Sequence, residues 1–267
     1  MTSQRHKLVE NANDSKNTRM DIRAAGRTGD WRADILAHMS RYDRIATMMI
    51  EEARRLERPL RILDVGCGEM WPLRVLFHSH ADVKASIISD YVGIDIEPWE
   101  MDFMTPEMRK RIGIRRVVQD LTLNPKMPVR NSSIDFAFST ECIEHMKPQF
   151  VPPWLDGVDK AVRKGGLLFF STPNSDGSNE KLPLDHVYEW GYEELRDELT
   201  ARWDLQYHYG TFIKLPAFRK ANRERRLVPE HLVESYEQRF GRHWLRNILA
   251  VGFPEVANNV SWTLRKP

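Results

Sequence analysis

The sequence predicts an α/β protein built on a parallel, doubly wound sheet, and three observations predict it. The run Arg61 to Glu69 (RILDVGCGE) reads as a short buried strand, Ile62 to Val65, passing straight into a glycine turn. A second strand, DYVGIDI at 90–96, ends in an acid about thirty residues later. Strand-like and helix-like patterns then alternate as far as Asn174. A strand–helix–strand rhythm forces parallel pairing, because each crossover helix packs back over the sheet.

Composition narrows the class. At 267 residues the chain suits one large domain, and an apolar fraction of 41% is enough for a core. A net charge of +2 does not by itself argue for a nucleic-acid partner. The two cysteines, Cys67 and Cys142, cannot make a disulfide framework and fit a reducing, cytoplasmic setting. No apolar run approaches the roughly 20 residues that span a bilayer, so no membrane span is expected. Residues 1–29 are polar, without an apolar signal core, and read as a flexible tail; residues 30–267 read as a single domain.

Each element has its own justification. From Trp31 to Leu56, Ile35, Leu36, Met39, Ile45, Met48, Met49 and Leu56 recur at helical spacing. His38, Arg41 and Tyr42 lie within reach of a ligand mouth but read first as a solvated face. Pro59 stops this helix, and Pro72 suits the first turn of the next, which runs on from Leu73 to Phe77. Gly113 to Leu121 reads as a third strand, with Val117 and Val118 buried and Asp120 at its end. Ser133 to Ser139 is a fourth strand, leading into TECIEHM at 140–146. Lys164 to Asn174 reads as a helix end, a turn and a fifth strand. Gly191 to Thr200 is an acidic helix, Trp203 to Thr211 a sixth strand, and Asn259 to Leu264 a last strand inserted beside the fifth.

In parallel sheets ligands bind just outside the carboxyl ends of the strands, so the glycine turn marks a binding crevice. Glycines at 66 and 68 bend the backbone and keep side chains out of a ligand's way. A carboxylate at the tip of the second strand, Asp95, accepts from two ribose hydroxyls at once. Asp120 is placed to accept an adenine amine. A nicotinamide dehydrogenase shares the acid-tipped strand, but its fingerprint needs glycine three residues after the second one, where Trp71 stands.

The segments DVGCG at 64–68, YVGID at 91–95, QDL at 119–121, IDFAFSTECIEH at 134–145 and VRKGGLLFFSTPN at 162–174 resemble those of class I S-adenosylmethionine-dependent methyltransferases. That resemblance implies a Rossmann-like, doubly wound, seven-stranded methyltransferase sheet with N-terminal helices and a lid insertion at about 175–254, before the last strand. It implies that Asp64, Gly66 and Gly68 hold the methionine part of S-adenosyl-L-methionine. Asp95 with Ile96 would take the ribose, Asp120 with Leu121 the adenine, and the Thr140 carbonyl the methionine ammonium. Met70 departs from the family, which often has a third glycine there.

A second constellation follows the fourth strand. Glu141, Glu144 and His145 fall at spacings that share one helical face. With His186 from DHVYEW at 185–190 they make a candidate site for a divalent metal, magnesium or similar. Without a metal, His145 and Glu144 remain candidate catalytic bases and Glu141 a helix cap. E-x-x-E-H with a later histidine resembles two branches of the family, the ubiquinone-biosynthesis O-methyltransferases and the small-RNA 3′-end 2′-O-methyltransferases. TPN at 172–174 and the D-H-x-x-E-W run are closest to the RNA branch. Both branches imply an acceptor with adjacent hydroxyls, which a metal chelates and acidifies.

The remaining stretch matches neither branch. Lys214, Arg219, Lys220, Arg223, Arg225 and Arg226 crowd one segment, either a wet helix face or a phosphate-binding patch. From Pro229 to Ile248, Leu232, Tyr236, Phe240, Trp244 and Ile248 read as the core stripe of a single helix. The expected activity is a metal-assisted O-methyl transfer to a small hydroxylated molecule. The alternatives are methylation of an RNA ribose 2′-hydroxyl, with nucleic acid as partner, and a non-catalytic cofactor-binding scaffold.

Overall fold

The structure is a computed structural model that describes residues 33–79, 87–98, 101, 103–178, 182 and 186–267. The polar tail expected for 1–29 lies outside the described residues, as do the side chains of Ile35 and Leu36. Helix α1 (Ala33–Leu56) precedes β1 (Leu60–Val65), α2 (Trp71–Ser79) and β2 (Ile88–Asp95). Next come α3 (Pro106–Ile112), β3 (Ile114–Val118), β4 (Ile134–Thr140), α4 (Val151–Ala161) and β5 (Val162–Pro173). After a short helical turn α5 (Ser175–Ser178), the chain forms α6 (Tyr192–Thr200), β6 (Asp204–Phe212), α7 (Leu215–Arg225), α8 (Glu230–Phe240), α9 (Arg242–Gly252) and β7 (Asn259–Arg265).

The seven strands run β3-β2-β1-β4-β5-β7-β6. All pairings from β3 to β5 are parallel, while β7 is antiparallel to both β5 and β6. The order reverses between β1 and β4, whose Asp64 and Phe138 sit opposite each other. A crevice therefore opens at that switch point, above the carboxyl ends of the two strands. Strand residues alternate between two cores, as a period of two requires. Leu63, Ala137 and Phe170 join Trp154 and Leu155 on one face, while Ile62, Phe136, Phe138 and Phe169 join Ile45, Met49 and Leu73 on the other. Among the described residues no helix is long and apolar enough to cross a membrane.

Four expectations need correction. Val118 is 57% exposed and Val117 only partly buried, because β3 is the sheet edge and stops before Asp120. Glu141 to His145 does not start an α-helix: Glu141 adopts φ 49° and only Ile143–His145 winds, as one 3₁₀ turn. The helix expected from Pro229 to Ile248 breaks at Gly241, whose φ of 81° favours glycine. Its stripe is not core, since Leu232, Tyr236, Phe240, Trp244 and Ile248 are all exposed. The apolar residues that do hold α7–α9 together are Phe218, Val233, Leu245, Leu249 and Ala250. Finally, Arg41 is not on a solvated face; it is 2% exposed.

Candidate active site

The glycine turn is fixed by its own backbone. Gly66 and Cys67 both donate to the Ile94 carbonyl, at 2.8 and 2.9 Å, which ties the turn to the tip of β2. Gly66 (φ 72°) packs so closely on the segment after β4 that a Cβ would lie 2.5 Å from Cys142 Sγ. Gly68 (φ 45°) differs: a Cβ there meets nothing within 4 Å, so it faces open space. Met70 occupies the family's usual third-glycine position with φ 56° and is fully buried. Gly93 makes this possible, because a Cβ on it would collide with the Met70 methyl and with Cys67 Sγ. A glycine on the neighbouring strand thus gives room for the residue that replaces one in the turn.

The acids take up distinct stations. Asp95 Oδ2 accepts from the Gly68 N–H at 2.7 Å, and its Oδ1 accepts from the Glu97 N–H at 3.0 Å. Ile96 beside it is 38% exposed at the strand tip. Asp120 Oδ1 accepts from both the N–H and the hydroxyl of Thr122, at 2.9 and 2.6 Å, and Leu121 is buried. Asp64 lies deeper, 2% exposed, accepting from the Tyr91 hydroxyl at 2.6 Å. Burial pushes its carboxyl up to about 7, against the opposing effect of the Tyr91 hydrogen bond. Arg116 of β3 donates to the Gly68 carbonyl at 2.7 Å, bracing the turn from the far side. Thr140 ends β4, half-buried.

Beyond β4, ligand atoms of Glu144, His145 and His186 all lie within 4.8 Å of one another. The His145 and His186 rings meet edge to face, 5.3 Å apart. The Glu144 carbonyl accepts from the N–H groups of Val187 and Tyr188, at 2.7 and 3.1 Å, which brings the later histidine to the 3₁₀ turn. Glu144 is 1% exposed; Thr172 donates to its Oε2 at 2.9 Å, while Oε1 accepts no hydrogen bond among the described residues. Burial, reinforced by Glu141, pushes the Glu144 carboxyl up to about 8. His186 Nδ1 lies 2.7 Å from Glu189 Oε1, an outer carboxylate of the kind that orients metal-binding histidines.

Glu141 does not join this group. Both its oxygens accept from Asn259 Nδ2, at 2.8 and 3.0 Å, and Arg41 Nη2 lies 3.5 Å away. Its carboxyl is held below the ordinary range, burial being outweighed chiefly by Arg41. The turn at Glu141 aims its side chain towards β7 and α1, so the shared helical face expected from its spacing does not form. Sequence reasoning missed Thr172, Glu189, Asn259 and Arg116. Two of them carried a signal: Thr172 opens the TPN run at 172–174, and Glu189 follows His186 by three in the D-H-x-x-E-W run.

A family model described as a methyltransferase domain matches residues 36–224, most of the chain. The chain belongs to the methyltransferase-domain family. It is a class I S-adenosylmethionine-dependent methyltransferase, as the strand order and the matched span agree. No curated protein sequence matches it. Among solved structures it is similar to the 1,6-didemethyltoxoflavin-N1-methyltransferase of Burkholderia thailandensis, which was determined with 1,6-didemethyltoxoflavin and S-adenosylhomocysteine bound. The identity is 15% over 96% of this chain and 89% of that chain, with a TM-score of 0.51. TehB from Haemophilus influenzae is similar at 14% identity, 83% of this chain and 62% of that chain, with a TM-score of 0.50. At such identities the likeness is one of fold.

Proposed function

We propose that this methyltransferase moves the methyl group to an oxygen of a small hydroxylated molecule, assisted by a divalent metal. One observation carries the metal reading: the buried Glu144 Oε1, without a hydrogen bond, lies in a cluster with two histidine rings. The His145 ring nitrogen, 4.0 Å from that oxygen, is too far to hydrogen-bond it, and a cation coordinated between them would satisfy the carboxylate. Glu144, His145 and His186 would hold the ion, with Glu189 orienting His186; magnesium or a somewhat softer ion suits this mixed set. The ion's contribution is to lower the pKa of a chelated hydroxyl and fix it in place.

The cofactor supplies an already activated methyl on its sulfonium. Asp95 keeps lone pairs beyond those given to Gly68 and Glu97 and would take the ribose hydroxyls. Asp120 would accept the adenine amine through the oxygen that Thr122 does not occupy. Gly66, Gly68 and the Thr140 carbonyl would line the methionine end, with Asp64 supporting them from behind, and Ile96 and Leu121 would flank the base. During transfer the C–S bond breaks as the C–O bond forms, and the hydroxyl proton leaves. As ligands of the ion Glu144 and His145 would have no lone pair free for that proton, which passes to solvent water; without the ion they would be the bases at that oxygen. Catalysis then rests mainly on alignment of oxygen, methyl and sulfur.

Charge pairing favours a small acceptor over RNA. Arg219 pairs with Glu230 and Glu237, at 3.3 and 2.9 Å, and Arg225 reaches Glu255 at 3.6 Å, so part of the basic run is neutralised internally. In this reading α7–α9 belong to the lid that selects the acceptor. Manganese, followed by its paramagnetism in equilibrium titration, tests the metal site. Binding that is lost in Glu144→Gln and His186→Ala, with cofactor affinity unchanged, is the expected result. Equal manganese binding by the variants would remove the metal from the mechanism.

A further inference from the structure

Helices α8 and α9 are apolar on two sides, and the described residues cover only one of them. On the covered side, Val233 of α8 and Leu245, Leu249 and Ala250 of α9 join Ile213 and Phe218 in a small core. Helix α9 lies so close on β6 that a Cβ at Gly210 would fall 2.6 Å from the Ala250 carbonyl oxygen. On the open side, Trp244 is 68% exposed, and Leu232, Tyr236, Phe240, Ile248 and Val251 are each between 41% and 57% exposed. At about 100° per residue, Trp244, Ile248 and Val251 fall within about 60° of one another, nearly opposite Leu245 and Leu249. Leu232, Tyr236 and Phe240 line one side of α8 in the same way, and the Tyr236 and Phe240 rings lie 5.5 Å apart.

A helix that is apolar all round is normally buried all round. The size of the open side fits that rule. Taking about 150–250 Å² for a large side chain in full, the six residues leave on the order of 600 Å² uncovered. That is the upper end of what monomers show, about 300–600 Å². With a polar rim it approaches the roughly 800 Å² that each partner gives to a stable protein interface.

Charge decides what covers it. A helix seated in a lipid surface keeps a face rich in lysine and arginine beside its apolar one. In α9 the opposite face is already taken: Arg246 donates to the Ile213 carbonyl at 2.8 Å and lies 3.6 Å over the Phe212 ring. The basic helix α7 meets α8 through Arg219 on Glu230 and Glu237, roughly a quarter-turn or more from Leu232, Tyr236 and Phe240. On α8 and α9 themselves only Arg239 and Arg242 border the stripes, too few for the clusters of about four to eight that hold a helix to anionic lipid or phosphates. Residues 1–30 carry no apolar run longer than two residues and offer no matching cover. An uncharged stripe of this size is matched by an identical one, which a second copy of the chain presents.

We propose that the protein is a two-fold dimer joined through α8 and α9, with Trp244 as the anchor of the interface. In such a contact each stripe packs on its own symmetry mate and the assembly closes at two copies. Tryptophan and tyrosine are the residues that carry most energy in interfaces of this kind. The proposal goes beyond the activity reading and does not depend on it.

Sedimentation velocity and light scattering on the full chain, from about 1 to 100 μM, test it. The expected result is one species of twice the chain mass. Trp244→Glu on α9 and Tyr236→Glu on α8 should each weaken dimerisation roughly a hundredfold or more. Gln238→Glu, exposed on α8 away from the stripe, should leave it unchanged. Circular dichroism and S-adenosylmethionine binding check that the variants are folded, and if either glutamate variant does not fold, the other decides. A monomer at every concentration would overturn the proposal, as would a dimer that neither glutamate variant weakens. Growth past two copies would contradict a closed two-fold contact. A monomer that floats with vesicles of phosphatidylglycerol and phosphatidylcholine would assign the face to lipid instead.

Discussion

Between the tips of β1, β2 and β3, most of the groups are set by main-chain bonds or by a neighbour a few residues away, the Tyr91 hydroxyl on Asp64 and the Arg116 side chain on Gly68 being the distant ones. Gly66, Cys67 and Gly68 are tied to Ile94 and Asp95 across one strand pair, and Asp120 is held by Thr122. Around Glu144 the same task falls to side chains from separate stretches: Thr172 of β5, His186 with Glu189 and, for the neighbouring Glu141, Asn259 of β7 and Arg41 of α1. The first half is a local device, stable once two strands pair. The second exists only when the ends of the chain have come together over the sheet. In the proposed reading the first half serves the cofactor and the second the acceptor.

The comparison breaks most sharply at Glu144. Glu144→Ala should lower methyl transfer by about a thousandfold or more, since several kcal/mol of charge stabilisation are at stake, while S-adenosylmethionine affinity stays unchanged. Single-turnover rates beside calorimetric binding check this, and a matching loss of cofactor affinity would mean that the two halves are not separable. The converse is Asp95→Ala, which should weaken cofactor binding roughly 10- to 100-fold and leave manganese affinity intact. Glu189→Gln sharpens the acceptor half further. It keeps His186 but loses the orienting charge, so metal affinity should fall about 10-fold to 100-fold.

Asp64 gives a pH signature for the cofactor half. Its folded-state value, about 7, stands above its ordinary 3.8, so the native state binds more protons than the unfolded state between those limits. Stability from this group is therefore fully present below about pH 4 and is lost as pH rises to about 7. Relative to Asp64→Asn, the unliganded protein should lose on the order of several degrees of melting temperature between pH 4.5 and 7.5. Equal pH profiles for the two proteins would contradict the assignment. The smallest effect belongs to the basic run: charge reversal at Arg223 and Arg226 should change transfer to a small acceptor by less than about twofold, these being exposed surface charges. A large, salt-sensitive loss of RNA binding would favour the nucleic-acid reading.

What was legible in the sequence follows the same division. The strand order, the glycine turn and the acid-tipped strands are written in short runs whose period and punctuation act locally. His186 was legible as a candidate ligand beside Glu144, but nothing in the intervening residues indicates that Val187 and Tyr188 donate to the Glu144 carbonyl. Glu141 was misplaced because its spacing is helical while its backbone, at φ 49°, is not. The exposed stripe from Leu232 to Ile248 has helical periodicity that a broken helix at Gly241 leaves facing outward. Arg41 sits in a stretch rich in charge, and only the packing of α1 against β6 and the segment after β4 buries it.

The central claim is chelator-sensitive methyl transfer to oxygen on a small molecule. It is tested most directly by supplying S-adenosylmethionine with a labelled methyl group to the protein in a cell extract, with and without a chelator. The extract is then separated into small molecules, RNA, DNA and protein, and the label is located by mass spectrometry. The account predicts label on an oxygen in the small-molecule fraction, abolished by the chelator and restored by added divalent metal. Label in RNA, label on nitrogen, or transfer that is unaffected by the chelator would contradict it.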